Sequence, residues 1–276
     1  MIILNAIEGI ILHSNICCMS SILFTVENGV GFITLNRPAK LNSFVGEMAL
    51  LLQLTLDECA SRPEVRCVFI TGTGKAFSAG QDLEEVVGPS SPGMQKILSE
   101  YYNPIVTRLR NMPKPVVAAV NGVAAGAGAN IALNCDIAVA AQSASFIQAF
   151  SKIGLIPDSG GTFILPRLVG RQKAAAFMML GDKVTATEAE KIGMVYKVFA
   201  DDVFIDEAKA IAATLASMPT KGLALTKHAL NYSATNTIEE QLLLEDKLQQ
   251  QAAATYDFKE GVAAFLEKRK PVFKGE

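Results

Sequence analysis

With only two histidines in the chain, any catalysis must use carboxylates, backbone dipoles or hydroxyls, and one candidate carboxylate is the aspartate in the segment GLIPDSGGT, residues 154–162. Asp158 follows a proline and stands just before a predicted helix that begins near Gly160. A carboxylate there can cap the helix, or it can carry a proton between two atoms of a substrate. The segment also contains the letters of a serine-protease motif, but that chemistry needs a histidine base. His228 falls deep in the predicted helical C-terminus, so we exclude a protease.

Two glycine-rich segments can offer backbone amides to a negatively charged atom. The first, GKAFSAGQDL (74–83), contains Gly80, which allows close backbone approach, and Asp82, which can cap the next helix. The second, NGVAAGAGAN (121–130), begins a helix whose first amides have no intrahelical partner and can bind an oxyanion. Its glycines do not fit the dinucleotide fingerprint, and the P-loop lysine is missing. Each segment also has a purely structural interpretation: a plain strand-to-helix turn for 74–83, and a tight helix–strand contact for 121–130.

Hydrophobic periodicity predicts the elements that position these segments. Residues 22–35 form two strands around the turn dipeptide Asn28-Gly29, and 45–62 has helical spacing. Further helices are predicted at 94–111, 128–134, 160–168, 171–180, 187–192, 203–217, 219–234, 238–253 and 256–268, and further strands at 67–72, 115–120, 136–140 and 194–199. This order predicts an α/β core followed by a helical appendage, with the change near Met218.

The composition excludes several classes of protein. Half of the 276 residues are hydrophobic and the formal net charge is −2, which indicates a globular fold and argues against a nucleic-acid partner. No apolar run reaches the ~18 residues that cross a bilayer, so no membrane partner is expected. The five cysteines lack CxxC pairing, which is typical of reduced thiols in a cytoplasmic protein. With two histidines, no metal site is expected.

Two segments fall outside the predicted elements. Residues 1–18 are apolar but lack the basic start of a secretory signal. We expect either a start-site artefact, with Met19 as the initiator, or an extension of unknown use. Residues 84–93, EEVVGPSSPG, are rich in proline, glycine and serine, and we expect a mobile loop that is a candidate lid beside the site.

Five strings, taken in order, resemble the enoyl-CoA hydratase/isomerase (crotonase) superfamily: TLNRPAKLNS, KAFSAGQDL, PKPVVAAVNGVAAGAGANIALNCDIAVA, FSKIGLIPDSGGT and LPRLVG. The resemblance runs from about Ile22 to Phe273. It implies an α/β fold built as a spiral of ββα units, with an acyl-CoA-binding core over residues 19–217. It also implies a helical region over 218–276 that drives assembly into a trimer or a dimer of trimers. The implied ligand is an acyl-CoA thioester, and no cofactor is implied beyond the CoA of the substrate.

The resemblance assigns an oxyanion hole to two backbone amides. The N–H groups of Gln81 and Ala127 match the family positions that hold the thioester oxygen, and each such donor contributes ~2.7–4 kcal/mol in other oxyanion holes. Further contacts with substrate or CoA are predicted for Lys40, Leu41, Ser78, Gly80, Asp82, Leu83, Gly126, Asn130, Phe150 and Pro157.

The resemblance also separates two reactions. Family hydratases carry catalytic glutamates at the positions of Asn130 and Phe150, and neither residue here exchanges a proton, so hydration is not expected. Asp158 matches the position where isomerases of the family carry a catalytic aspartate. We expect its apolar neighbours Phe150, Ile153 and Ile156 to raise its pKa by desolvation.

The strings YYNPIVTRL, AFSKIGLIPDSGGT and EGVAAFLEKRKPVF are most similar to family members of aerobic phenylacetate breakdown. This implies conversion of a ring-1,2-epoxyphenylacetyl thioester to its seven-membered oxepin isomer, with a second activity that moves a double bond from Δ3 to Δ2. A general Δ3,Δ2-enoyl-CoA isomerase or a hydratase-like enzyme of fatty-acid oxidation stays open. From a different class, so does an acyl-CoA-binding protein without catalytic activity.

Overall fold

The N-terminal part of the fold is a β-hairpin followed by a long helix. The computed structural model describes residues 20–276, so the predicted extension 1–18 and the candidate initiator Met19 lie outside the described residues. Strands β1 (Ile22–Glu27) and β2 (Val30–Leu35) pair antiparallel. Both residues of the turn between them have positive φ, as the asparagine–glycine dipeptide predicts.

A larger sheet forms the centre of the molecule. Its further strands are β3 (Cys67–Gly72), β5 (Val116–Val120), β7 (Ile137–Ala141) and β10 (Lys197–Phe199). Within the described chain the strand order is β1-β2-β3-β5-β7-β10, and all neighbours after the hairpin are parallel. Every residue of β5 is buried, which is typical of a parallel sheet that is covered on both faces.

A smaller sheet of short strands lies beside it. These strands are β4 (Ala76–Ser78), β6 (Val123–Ala125), β8 (Ser145–Ile147) and β9 (Lys183–Thr185), and they pair in that order. The chain places β3 in the larger sheet and β4 in the smaller one, and it repeats this with β5 and β6 and with β7 and β8. Each pair is followed by helical structure. The predicted fold of repeated ββα units is therefore confirmed.

Helices cover the sheets and form the C-terminal part. They are α1 (Gly46–Ser61), α2 (Leu83–Val87), α3 (Met94–Lys96), α4 (Asn103–Asn111), α5 (Ala127–Leu133), α6 (Gly161–Val169), α7 (Arg171–Leu180), α8 (Ala186–Lys191), α9 (Phe204–Ser217), α10 (Thr220–Ser233), α11 (Ile238–Ala253) and α12 (Tyr256–Leu266). Single 3₁₀ turns occur at Pro38–Lys40 and Ala149–Ile153. A π-helical segment, Ile97–Tyr102, lies within the predicted helix 94–111, and α2 lies partly within the predicted loop 84–93.

The C-terminal helices leave large apolar side chains in contact with solvent. Met218 and Pro219 link α9 to α10, at the predicted boundary between core and appendage. Exposed apolar side chains on α10, α11 and α12 include Leu230, Leu242, Leu243, Phe265 and Leu266. The division into core and oligomerisation region, and the trimer itself, stay predictions.

Candidate active site

A cavity of about 480 Å³ lies beside the start of helix α5. Its walls are mainly apolar, and they are formed by Ala79, Gly80, Gln81, Leu83, Val86, Val87, Met94, Ile97, Tyr102, Gly126, Ala127, Ala149, Phe150, Lys152, Ile153, Leu155 and Asp158. Among the lining residues of the described chain, Asp158 is the only carboxylate. An apolar cavity with a few converging polar groups is typical of a small-molecule site.

The two predicted oxyanion-hole amides border this cavity. Ala127 is the first residue of α5, so its N–H has no partner within the helix. The backbone of Phe44 is bonded to the residues on both sides of Gln81. The Phe44 N–H donates to the Gly80 carbonyl at 2.7 Å, and the Phe44 carbonyl accepts from Asp82 N–H at 2.8 Å. Because a trans peptide directs its N–H away from the preceding carbonyl, the Gln81 N–H points away from Phe44. Neither amide donates to another atom among residues 20–276.

Glycines allow the two amide-bearing segments to touch. A Cβ on Gly80 would lie 2.8 Å from the Ala125 carbonyl oxygen and 3.3 Å from the Ala127 nitrogen. Gly126 has φ +52° and ψ −127°, a conformation that L-residues avoid. The loop 79–81 and the start of α5 are therefore in direct backbone contact, which places both amides at one end of the cavity.

Ser78 stabilises the contact between the loop 79–81 and the start of α5. It is fully buried, its hydroxyl donates to the Asn42 carbonyl at 2.8 Å, and it accepts from Gly80 N–H at 3.2 Å. A Cβ on Gly128 would lie 2.5 Å from the Ser78 carbonyl oxygen. Ser78 does not line the cavity, so its position gives it a part in shaping the loop rather than in touching a ligand.

Asp158 lies in the cavity wall with an altered acidity. Burial raises the pKa of its carboxyl above the ordinary aspartate value, and the hydrogen bond that it accepts from the Ser159 hydroxyl at 2.8 Å partly opposes this effect. The N-cap of α6 is Gly160, without a side-chain cap, so the helix-capping alternative for Asp158 is wrong. Of the expected apolar neighbours, Phe150 and Ile153 line the cavity, whereas Ile156 is 80% exposed.

The turn that carries Asp158 is held by Asn130 of α5 and by Asn134, the C-cap residue of that helix. Ser159 and Gly160 both have positive φ, +50° and +72°, which is an unfavourable conformation for serine. Asn130 Nδ2 donates to the Asp158 carbonyl at 2.8 Å, and Asn134 Nδ2 donates to the Ser159 carbonyl at 3.0 Å. These asparagines are four residues apart, and they hold the peptides on both sides of Ser159.

Asn130 is itself oriented by a third amide. Gln148 Nε2 donates to Asn130 Oδ1 at 2.8 Å, which leaves Asn130 Nδ2 to face the turn. Asn130 is fully buried and does not line the cavity. The sequence predicts Asn130 as a ligand contact, but it does not predict the contributions of Asn134 and Gln148, because only the folded chain brings them to residue 158.

Four other predicted contact residues, Lys40, Leu41, Asp82 and Pro157, lie outside the cavity wall. Lys40 pairs with Glu84 at 2.9 Å, and Leu41 is 45% exposed with φ +50°. Asp82 accepts from Glu84 N–H and so caps α2, as the sequence predicts, and it also pairs with Arg37 at 3.1 Å. Pro157 is partly buried outside the lining. The contacts of these four residues with CoA stay predictions. The predicted site residues that do line the cavity are Gly80, Gln81, Leu83, Gly126, Ala127, Phe150 and Asp158.

Two further findings concern other kinds of chemistry. Burial raises the pKa of the Cys59 and Cys67 thiols to about 12, so these thiols are protonated at neutral pH. In the described part of the chain, no three histidine, cysteine, aspartate or glutamate side chains lie close enough together to hold a metal ion. Between residues 20 and 276, no helix is both long and apolar enough to cross a membrane.

We expect the acidic limb of the pH profile of kcat/KM, which reports groups of the free enzyme, to lie above the ordinary aspartate pKa of about 3.9. Asp158 must be ionised to accept a proton, so the rate falls as the pH drops through its raised pKa. Replacing Ser159 with alanine removes a hydrogen bond that favours the ionised form, and the limb then moves to higher pH. Steady-state rates from pH 4 to 9 test this, and an unmoved limb in Ser159→Ala contradicts it.

We expect Asn130→Asp to lower the free energy of unfolding by about 1–3 kcal/mol, because the Asp158 carbonyl loses its donor. Urea unfolding measures this change. Asn28→Asp is the matched control, because Asn28 is exposed in a turn with φ +48°. Equal changes in the two variants contradict the assigned contact.

These observations together define a class of enzyme. Two backbone amides at one end of an apolar cavity, without hydrogen-bond partners among residues 20–276, suit an oxygen that gains negative charge. A partly buried carboxylate in the same wall suits the transfer of a proton. This is the arrangement of an enzyme that forms an enolate from a carbonyl compound. The sequence profile of the enoyl-CoA hydratase/isomerase family matches residues 25–276, and the chain belongs to that enzyme family.

Individual relatives agree with this membership. A 1,2-epoxyphenylacetyl-CoA isomerase of Escherichia coli K12 is 47% identical over 262 residues, which are 94% of this chain and 100% of the relative. A 2,3-dehydroadipyl-CoA hydratase of the same organism is 36% identical over 93% of this chain and 100% of its own length. The crystal structure of an enoyl-CoA hydratase from Bacillus anthracis superposes with a TM-score of 0.87 at 33% identity, covering 93% of this chain and 100% of that one. The family and fold predicted from the sequence are therefore confirmed.

Proposed function

We propose that the protein is an acyl-CoA isomerase in which Asp158 acts as both catalytic acid and catalytic base. The observation that carries this proposal is the presence of a single carboxylate, Asp158, among the described residues that line the cavity. Moving a double bond needs one group that removes a proton and returns it elsewhere, and consumes no water. Asn130 and Phe150, at the positions of the hydratase glutamates, offer no second carboxylate.

The proposed reaction follows from this geometry. The thioester oxygen of a 3-enoyl-CoA accepts hydrogen bonds from the Gln81 and Ala127 amides. Asp158 removes a proton from C2, and the electron pair moves onto that oxygen as an enolate, which the two amides stabilise. The protonated Asp158 then donates the proton to C4, so the double bond ends between C2 and C3 and the carboxylate is restored.

The proposed physiological substrate is a ring-1,2-epoxyphenylacetyl-CoA, which is converted to the oxepin thioester in phenylacetate breakdown. The relative named 1,2-epoxyphenylacetyl-CoA isomerase, at 47% identity, supports this choice. Phe150 packs near Gly126, with ring atoms 3.7–3.8 Å from the position of a Cβ there, and so gives the cavity an aromatic wall next to the oxyanion hole. Asp158 would act at the acidic C–H or at the epoxide end of the substrate while the amides hold the thioester oxygen.

Two other enzyme functions are alternatives to this proposal. A hydratase function is favoured by the relative named 2,3-dehydroadipyl-CoA hydratase, and a general Δ3,Δ2-enoyl-CoA isomerase would use the same carboxylate and amides. An acyl-CoA-binding protein without activity is disfavoured, because Asp158 and both amides border one cavity.

The test compares the turnover of three thioesters by the purified protein: 3-hexenoyl-CoA, crotonyl-CoA and ring-1,2-epoxyphenylacetyl-CoA. We expect isomerisation of the first and third, with hydration of crotonyl-CoA at least about 100-fold slower. Robust hydration overturns the isomerase proposal. A kcat/KM that is higher for 3-hexenoyl-CoA than for the ring epoxide supports a general enoyl-CoA isomerase instead.

The proposal includes the setting in which the enzyme works. We place the CoA along Lys40, Leu41 and the loop 78–83, with no cofactor beyond the CoA of the substrate. The exposed apolar side chains of α10, α11 and α12 support assembly into a homotrimer or a dimer of trimers. Acyl-CoA chemistry and the buried free thiols suit the cytoplasm.

A further inference from the structure

The side chain of Gln81 is held by hydrogen bonds at both ends. Tyr102 Oη donates to Gln81 Oε1 at 2.8 Å, and Gln81 Nε2 donates to Glu85 Oε2 at 2.8 Å. The other Glu85 oxygen accepts from Gly46 N–H at 2.8 Å. A carboxylate only accepts hydrogen bonds, so the amide nitrogen of Gln81 must face Glu85 and its oxygen must face Tyr102.

Tyr102 is placed by an unusual helical segment. It is the last residue of the π-helical segment Ile97–Tyr102, and π-helical turns occur frequently at functional sites. The residue is 1% exposed, and its ring packs edge-to-face on Phe44 with 5.9 Å between centroids. Phe44 is also the residue whose backbone bonds to Gly80 and Asp82 on either side of Gln81. Tyr102 therefore contacts both neighbours of the Gln81 peptide: its hydroxyl bonds to the Gln81 side chain, and its ring packs on Phe44, whose backbone bonds to Gly80 and Asp82.

The hydroxyl of Tyr102 is maintained as a donor. Burial raises its pKa well above the ordinary tyrosine value, and the negative charges of Asp158 and Glu85 add to this rise. Tyr102 lines the same cavity as Asp158, yet its proton is directed to Gln81 Oε1. This direction indicates support for the loop rather than proton transfer to a ligand.

We propose that Tyr102 is a positioning residue of the oxyanion hole: through Gln81 Oε1 it holds the Gln81 peptide so that its N–H stays directed at the thioester oxygen. This inference rests on the proposed acyl-CoA isomerase function. It gives the Gln81 side chain a role that backbone catalysis alone does not require.

Tyr102→Phe tests the proposal, because it removes the hydroxyl and keeps the ring on Phe44. We expect kcat for 3-hexenoyl-CoA to fall about tenfold with KM changed less than twofold, which is less than the 10²–10³-fold loss for a deleted oxyanion donor. Tyr101→Phe is the matched control in the same π-helical segment, because the Tyr101 hydroxyl donates no hydrogen bond among the described residues. We expect it to retain wild-type kcat.

A double-mutant cycle separates positioning from general packing. Gln81→Ala keeps the backbone N–H and removes the contact with Tyr102, so Tyr102→Phe should have no further effect on kcat in that background. Multiplicative losses overturn the proposal. So does a Tyr102→Phe variant with wild-type kcat.

A spectroscopic readout is independent of turnover. The infrared carbonyl band of bound hexanoyl-CoA reports hydrogen bonding to the thioester oxygen, and we expect a smaller shift from its free position in Tyr102→Phe than in the wild type. An equal shift in both proteins overturns the positioning role. If the wild type itself fails to isomerise 3-hexenoyl-CoA, the proposed function is wrong, and the carbonyl band still tests the hydrogen-bond geometry.

Discussion

Replacing Asp158 with asparagine is expected to lower kcat for the isomerisation of 3-hexenoyl-CoA by about 10²–10⁴-fold, the usual contribution of general acid–base catalysis. Asparagine has nearly the same shape, and its Oδ1 can still accept the hydrogen bond that the Ser159 hydroxyl donates to Asp158. The two amides at the other end of the cavity are untouched, so the affinity for hexanoyl-CoA should stay within about threefold of wild type. Steady-state kinetics and calorimetric titration measure the two quantities.

The same substitution should not destabilise the fold at neutral pH. Burial raises the folded-state pKa of Asp158, so between the unfolded and folded pKa values the folded protein binds more protons. The contribution of Asp158 to stability therefore falls as the pH rises through that window and stays lower above it. Asparagine has no ionised form to desolvate, and Asp158→Asn should unfold at an equal or higher urea concentration at pH 7.

Asp202→Asn is the control for this experiment, because Asp202 is exposed on the surface. It should leave both turnover and stability unchanged. Wild-type turnover in Asp158→Asn contradicts the assignment of the acid and base. An Asp158→Asn variant that has lost hexanoyl-CoA binding also contradicts it, because Asp158 would then serve to hold the substrate.

Periodicity in the sequence predicts the long elements of the fold and misses the short ones. The predicted helices at 171–180 and 238–253 coincide with α7 and α11, because each is an uninterrupted run of residues with high helix propensity, without glycine or proline. The smaller sheet is built from three-residue strands such as Ser145–Ile147, which are too short to show alternation. That each buried strand of the larger sheet is followed by a short strand of the smaller sheet is predicted by the family resemblance and not by the local pattern.

The sequence likewise predicts only part of the candidate site. The resemblance to the family predicts Gln81, Ala127 and Asp158 as site residues, and the folded chain places all three in the wall of one cavity. The supports of these groups are contacts between distant parts of the chain. Tyr102 reaches Gln81 across 21 positions, and Asn130 reaches the carbonyl of Asp158 across 28, so neither contact has a signal in a local sequence window.

Replacing Gly80 with alanine is expected to reduce kcat/KM by about 10²–10³-fold, as the removal of an oxyanion-hole donor does elsewhere. The new methyl group would lie 2.8 Å from the Ala125 carbonyl oxygen and 3.3 Å from the Ala127 nitrogen. Both contacts are with backbone, which cannot rotate away as a flexible side chain can. The loop 79–81 must therefore move away from the start of α5, so that both amides can no longer converge on one oxygen.

Gly170→Ala separates this geometric effect from the cost of an L-residue with positive φ. Gly170 has φ +79°, close to the +88° of Gly80, but a Cβ there meets nothing within 4 Å. Gly170 also has ψ 157°, a region that only glycine populates readily. Both variants should lose stability by roughly 1–3 kcal/mol from placing an L-residue at positive φ, while only Gly80→Ala should lose turnover. Urea unfolding and steady-state kinetics on 3-hexenoyl-CoA measure the two effects. Equal losses of turnover in the two variants would show that backbone strain is responsible, and not the separation of the amides.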